Sequence, residues 1–283
     1  MKKQYWIYIV LFLVGLGVGL YFGLRSSVNR QPSTVCGPME VRHIVFADSV
    51  SMFDATAYQR MEVDFPQASD TSAVARAVRA WLYEDIPFLA GIIDDPEEVA
   101  LRLDLPSTID DSAYVEAYAR YGLDTQRSLL EVEAGEGWTV NVEHDCSVTK
   151  AYDEESYVTY LVNRYSYEGG AHGGTIVYGV TFDKPTGERM GWNLVADRDT
   201  VALARQIKEG LKAYLSEGSD EVISSDEDLL EHLLVWCEDS VDAATWLPQL
   251  PATAPWQTPE GIVFLYQQYE IAPYAAGHPT VVL

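Results

Sequence analysis

Alternating apolar and polar positions mark several stretches of the chain as strands. In WTVNVEHDCSVT, Trp138, Val140, Val142, His144, Cys146 and Val148 share one face, and Thr139, Asn141, Glu143, Asp145 and Ser147 share the other. That is the pattern of a strand with one wet side. SYVTYLVNRYSY, Ser156 to Tyr167, is dense in β-branched and aromatic residues. TIVYGVTFD places Ile176, Tyr178, Val180 and Phe182 on one side. Val41 to Ala47 and Gln59 to Pro66 read as two further strands, and IVFLY near the C-terminus as a buried one.

Between these runs the apolar period lengthens to that of a helix. DTSAVARAVRAWLYED offers Asp70 or Ser72 as N-cap, with Val74, Val78, Trp81 and Leu82 on one stripe. DDSAYVEAYARYGLDTQRSLLEVE is a second helical stretch, expected to break near Gly122. A third runs from about Thr200 to Leu215, with Ile207, Leu211 and Leu215 at i, i+4 spacing. A fourth opens on a capping box of Ser224 and Glu227 and carries Leu229, Leu230, Leu233 and Leu234. DKPTG is a turn, and Pro248, Pro251, Pro255 and Pro259 mark an irregular connection. The expected fold is α+β, a meandering antiparallel sheet covered by helices.

The N-terminus has neither pattern. Trp6 to Leu24 contains no charged residue, and about 20 apolar residues at a rise of 1.5 Å match the roughly 30 Å core of a bilayer. The run is longer than the core of a cleavable leader, and LRSSVNRQPS supplies no small-residue cleavage site. An uncleaved transmembrane signal anchor is therefore expected, single-pass in the cytoplasmic membrane. Residues 1–5 would form a cytoplasmic tip, 6–24 the helix and 25–38 a stalk. Two portions outside the cytoplasm would follow, 39–135 and 136–283. Lys2 and Lys3 favour this orientation, while Arg25 and Arg30 oppose it. Gly15, Gly19 and Gly23 give overlapping GxxxG spacings that permit helix-mediated self-association.

Charge narrows the range of partners. The first 30 residues hold four Lys or Arg and no carboxylate, so 31–283 carries 15 basic residues (19 less those four) against 43 acidic ones. A formal −28 argues against nucleic acid, whose binding depends on neutralising phosphates, and would draw in a basic protein. Cys36, Cys146 and Cys237 lack metal-ligand spacing. They permit one disulfide in an oxidising compartment, with the pairing open. No cofactor or metal is suggested.

One stretch raises a question of chemistry. YSYEGGAHGGT, 165–175, sets His172 among Gly169, Gly170, Gly173 and Gly174, between two strands. The economical reading is a connection whose backbone needs positive φ at several positions. A catalytic histidine needs a partner that fixes its tautomer, and no G-x-S-x-G or H-E-x-x-H supplies one. An anion-binding nest lacks its lysine. Tyr165, Tyr167, Gly169, Gly170, His172, Gly173, Tyr269, Tyr274 and His278 are the candidate contact residues, provided they line one surface.

YSYEGGAHGG, FDKPTGERMGWNLV and PEGIVFLYQQYEIAPYAAGHPTV together resemble the RsiV-like domain of unknown function. That family includes the extracytoplasmic domain of the lysozyme-sensing anti-sigma factor RsiV and a domain beside the deacetylase of PdaC. The likeness spans Tyr157 to Val282, and MEVDFPQ is similar, more weakly, to the family's N-terminal companion. The resemblance implies an α+β domain outside the membrane that in some relatives binds lysozyme. It implies no reaction. Only MKKQY precedes Trp6, and the two RsiV-like portions take up 31–283, so neither sigma-factor control nor deacetylation is expected. A non-catalytic binding or sensing protein of the bacterial envelope is thus expected. A cell-wall processing enzyme, needing two paired carboxylates, and an envelope structural protein are the alternatives.

Overall fold

In the computed structural model, residues 37–283 are described, apart from 93, 107, 138, 218–221 and 235–241. The expected tip, membrane helix, glycine spacings, most of the stalk, Cys36 and Cys237 lie outside the described residues. No described helix is long and apolar enough to cross a membrane.

A six-stranded sheet in the order β1-β2-β3-β4-β5-β6 organises the fold. β1 (Val41–Met52) and β2 (Ala55–Pro66) form a long hairpin. Its two-residue turn is Phe53-Asp54, at φ 52° and 60°. Such turns require positive φ at both positions and are ordinarily Asn-Gly or Asp-Gly. Three helices follow. α1 (Ala73–Leu89) is capped by Ser72, whose hydroxyl accepts from the Ala75 amide. α2 (Pro96–Leu103) is capped by Asp95 and α3 (Asp111–Gly135) by Asp110. α3 does not break at Gly122. That glycine lets the helix press on the end of α1, because a Cβ there would lie 2.3 Å from the Ala90 carbonyl oxygen.

β3 (Val142–Asp153) pairs parallel with β2, Ala57 opposite Val142 through to Val63 opposite Val148. The sheet is therefore mixed, not wholly antiparallel. The three-helix crossover returns the chain to the end of the sheet where β2 began, so the next strand must run the same way. β4 (Tyr157–Tyr167), β5 (Gly174–Asp183) and the two-residue β6 (Arg189–Met190) then meander antiparallel.

One face of the sheet packs on the helices. Val63, Phe65, Val148, Tyr160 and Val180 meet Trp81, Leu82, Ile86, Val115 and Tyr118, all buried. Trp81 stands edge-on to Tyr160, ring centroids 5.7 Å apart.

The rest of the chain forms a second layer. It comprises α4 (Thr200–Ser216), α5 (Asp226–Glu231) and a small antiparallel sheet of β7 (Trp256–Thr258), β8 (Gly261–Leu265) and β9 (Thr280–Val282). The capping box of α5 is Ser225 with Asp228, one residue beyond the expected pair. Leu203, Ile207, Leu211, Phe264 and Val281 form this layer's core. It packs on the other face of β4 and β5, where Trp256, Val263 and Leu265 meet Leu161 and Val177.

Three polar groups lock that contact. The Gln257 amide donates to Thr181 Oγ1 (2.9 Å), Thr181 donates to Thr159 Oγ1 (2.8 Å), and Thr159 donates to the Gln257 carbonyl (2.8 Å). Each hydroxyl both gives and accepts, so no buried proton is left over.

Trp256 lies directly over Gly179, where a Cβ would fall 2.2 Å from Cγ of the indole. Gly179→Ala should therefore cost about 1–3 kcal/mol of stability through overpacking, read as a lowered denaturant midpoint with an unchanged slope.

Asp153 ties the start of the described chain to the sheet. It accepts from the Met39 amide (2.9 Å) and from Lys150 Nζ (2.6 Å), and pairs with Lys184. Burial pushes its pKa up, but the two lysines outweigh this and hold it below the ordinary 3.8. Its contribution to stability is therefore present above that ordinary value and lost as pH falls through the lowered one. Asp153→Asn should flatten this part of the acid-unfolding curve, measured by circular dichroism from pH 6 downward.

Candidate functional site

His172 sits between its own loop and the C-terminal segment. Its Nδ1–H donates to the Gly173 carbonyl (2.9 Å), and its Nε2 accepts from the Tyr269 hydroxyl (3.0 Å). These two bonds fix the tautomer. The ring stacks on Tyr274 at 3.8 Å between centroids. Tyr269 is held at φ 64°, a left-handed conformation uncommon for a bulky residue, and its side chain is exposed. With both ring nitrogens engaged, His172 acts as a latch that joins residues 97 positions apart.

The glycines around it have separate reasons. Gly169 and Gly170 lie at φ 97° and 91°. Gly173 does not need positive φ; the Tyr165 ring rests on its α-carbon, and a Cβ would meet that ring at 2.4 Å. Tyr167 donates to the Gly170 carbonyl (3.2 Å). His278 Nε2 donates to the carbonyl of Thr175 (3.1 Å), at the start of β5. The structure thus brings His172, Tyr269 and Tyr274 into one cluster. It sets Tyr165 and His278 beside it through Gly173 and Thr175, and leaves Tyr167 against its own loop.

Two residues that the sequence did not single out complete the arrangement. β5 pairs with β6 only at Thr181 and Phe182, so most of its outer edge has no strand beside it. Gln267 fills that place with its side chain. Its amide accepts from the Val177 N–H (3.2 Å) and donates to the Val177 carbonyl (2.6 Å), as a neighbouring peptide would. Gln268 accepts from the Thr175 N–H (3.0 Å). The segment QQYEIAPYAAGH closes an edge that would otherwise template another chain.

The second layer covers only β4 and β5, so the outer face of β1 to β3 is open. On it His43, Val45, Ala47 and Ser49 of β1 are exposed, and Tyr58, Arg60, Glu62 and Asp64 of β2 are half-buried. Glu143, Asp145 and Ser147 of β3 continue the face, and Tyr165 and Tyr167 of β4 bound it. The register sets these in rows: Ala47, Arg60, Asp145 and Tyr165, then Ser49, Tyr58, Glu143 and Tyr167. The face thus carries four carboxylates, Glu62, Asp64, Glu143 and Asp145, and one guanidinium. Arg60 bridges to Asp145 (3.2 Å) and to Glu62. Slight desolvation pulls its pKa down, and the two carboxylates raise it above the usual value. His43 lies 2.8 Å from Asp64.

Behind the sheet, His144 and Cys146 are buried among the helices. His144 Nε2 is 2.8 Å from Glu168, and burial lowers its pKa against that carboxylate's pull. Burial pushes the free Cys146 thiol up to about 12, which leaves it protonated and inert. Among the described residues no three His, Cys, Asp or Glu side chains converge as metal ligands would.

Comparison with known proteins reaches the fold. Residues 201–283 match a family model described as a protein of unknown function, DUF3298. A solved DUF3298-family structure from Bacteroides fragilis superposes with a TM-score of 0.57 at 17% identity, covering 87% of this chain and 90% of that one. Another, from Pseudomonas aeruginosa, gives 0.57 at 15% identity, covering 88% and 92%. The fold is similar to theirs. No curated protein matches the chain. The family match begins within α4 and takes in Gln267, the latch tyrosines and His278, but not the open face of the large sheet.

Gln267→Leu should strip both partners from the Val177 backbone. The expected result is faster hydrogen exchange at Val177 and a loss of about 1–3 kcal/mol, set by the unpaired buried groups. Gln267→Glu, which keeps the acceptor but not the donor, should fall between.

Proposed function

We propose that this chain is a membrane-anchored, non-catalytic binding or sensing protein of the bacterial envelope, and that it receives a basic protein, such as lysozyme, on the open face of its sheet. The observation that carries the reading is the composition of that face, where Glu62, Asp64, Glu143 and Asp145 share the surface with the single guanidinium of Arg60, which pairs with Glu62 and Asp145, and tyrosines form one border. Carboxylates steer a cationic partner during encounter, and aromatic side chains at the border supply apolar contact once it has docked. The formal −28 of residues 31–283 adds a long-range attraction of the same sign.

The membrane helix at 6–24 and the placement outside the cytoplasm rest on the apolar run and on the resemblance to the RsiV-like domain. The His172 latch has a supporting role in this reading. It fixes the Gly173 backbone against which the Tyr165 ring rests at the border.

Calorimetric titration of the full chain in neutral detergent with a basic lysozyme, at low and at physiological ionic strength, tests the proposal. Saturable binding that weakens with salt is expected. Glu143 is exposed on this face, and Glu143→Lys should weaken binding about tenfold, or 1.4 kcal/mol, mainly through slower association. Binding that ignores both salt and this reversal would remove the acidic face from the account. Absence of binding would remove lysozyme.

A further inference from the structure

The two edges of the large sheet are treated differently. The β5 edge is closed by Gln267, Gln268, His278 and the two-residue β6. Among the described residues none closes the β1 edge in a comparable way. β1 runs twelve residues with β2 as its one strand neighbour among the described residues, in an unbroken register without a bulge. It contains no proline and no lysine, and Val45 is 53% exposed. Short length, bulges, proline and lysine are among the ordinary means of blunting an edge, and β1 has none of these; its two helix-face charges, Arg42 and Asp48, are of opposite sign and each is already paired from α3 or its cap.

We propose that β1 is a self-association edge, on which a second copy pairs its own β1 antiparallel about a two-fold axis through Val45. The strand is complementary to itself in that register. Val45 meets Val45 on the open face, His43 meets Ala47, and Val41 meets Ser49. On the helix face Ile44 meets Phe46, and Arg42 meets Asp48. Registers centred one or two residues later set Asp48 against Ile44 or Phe46 and lose that match. On the open face β1 carries no carboxylate, unlike β2 and β3, so the pairing brings no like charges together.

The charges at the edge extend into a network. Arg42 is 3.1 Å from Asp111 and 3.5 Å from Asp110, and Asp48 is 3.2 Å from Arg120, all from α3 or its cap. Pairing would give Arg42 a third partner and Asp48 a second, so that charges alternate across the axis. Beside the edge, His43 to Phe46 and Ser112, Val115 and Glu116 of α3 line an open groove. α3 packs against both β1 and β2. Strands about 4.8 Å apart would then set the two α3 helices about 10 Å from each other, the spacing of packed helices. Glu116, the groove's one carboxylate, already has Arg120 at 2.9 Å.

Sedimentation and hydrogen exchange of the full chain in neutral detergent, over a range of concentrations, test the pairing. A dimer is expected in which amides 43–49 gain protection as concentration rises. Val45→Lys, at an exposed position, should raise the dissociation constant at least about tenfold and expose those amides. Arg42→Asp or Asp48→Arg alone should weaken the dimer. The two together should recover part of the loss, since the exchanged charges again face each other across the axis while each now meets like charge from α3 or its cap. Three results would overturn the proposal. One is a dimer unmoved by Val45→Lys, which some other surface would be holding. Another is a monomer with β1 amides protected at every concentration, which a segment of the same chain would be covering. The third is a monomer with those amides exchanging fast throughout.

Discussion

Burial of β4 and β5 on both faces is the constraint from which the other features follow. A strand with helices on one side and a second sheet on the other must be apolar or fully hydrogen-bonded in both directions. Tyr160, Val162, Val180 and Phe182 meet the helices, while Leu161, Val177 and Gly179 meet the second layer. Where polar atoms enter, as at Thr159 and Thr181, their hydroxyls close a ring with the backbone of Gln257. Gly179 is the tightest point, because the indole of Trp256 occupies the space of its missing side chain.

That two-sided burial also decides which surfaces remain. The second layer ends near Gly173 and Tyr165, so β1 to β3 keep one wet face, and the charged residues accumulate there. The same layer delivers Gln267 and Gln268 to the edge of β5. Their amides stand in for a strand along the part of that edge that β6 leaves unpaired. The His172 latch joins the loop before β5 to the segment that carries those glutamines. It is a device of assembly, and the tyrosines it orders reach the surface as a consequence.

Much of this is legible in the sequence. The period-two face of Val142, His144, Cys146 and Val148 is the buried face of β3, and Val74, Val78, Trp81 and Leu82 are the buried stripe of α1. The parallel pairing of β2 and β3 is not legible, since alternation reports which face a residue takes and not the direction of its neighbour. The turn at Phe53-Asp54 escapes a sequence reading because its positive φ is imposed by the hairpin on residues that do not advertise it. Gly122 looks like a helix breaker, yet it serves a close approach that depends on a residue 32 positions earlier. Of the candidate site, the gathering of His172, Tyr269 and Tyr274 can be anticipated as a condition. The open acidic face cannot, because adjacency across β2 and β3 exists only once the crossover is made.

The distribution of the basic residues sharpens the charge argument. Asp153 engages both Lys150 and Lys184, and Asp226 engages both Lys208 and Lys212. Lys184 and Lys208 are almost wholly buried, so their charges reach solvent only through low-dielectric protein, next to the carboxylates they neutralise. Lys208 donates in addition to the carbonyls of Ala243 and Trp246 (2.9 and 3.0 Å), which makes it a clamp for the loop before β7. Each of these aspartates therefore engages two cations, one buried and one half-buried. What a partner meets outside is more acidic than the count of residues implies. The self-repulsion of so many carboxylates is offset in part by these clips inside the fold, so the lysines that brace each layer internally are engaged away from the open face and leave it to its carboxylates.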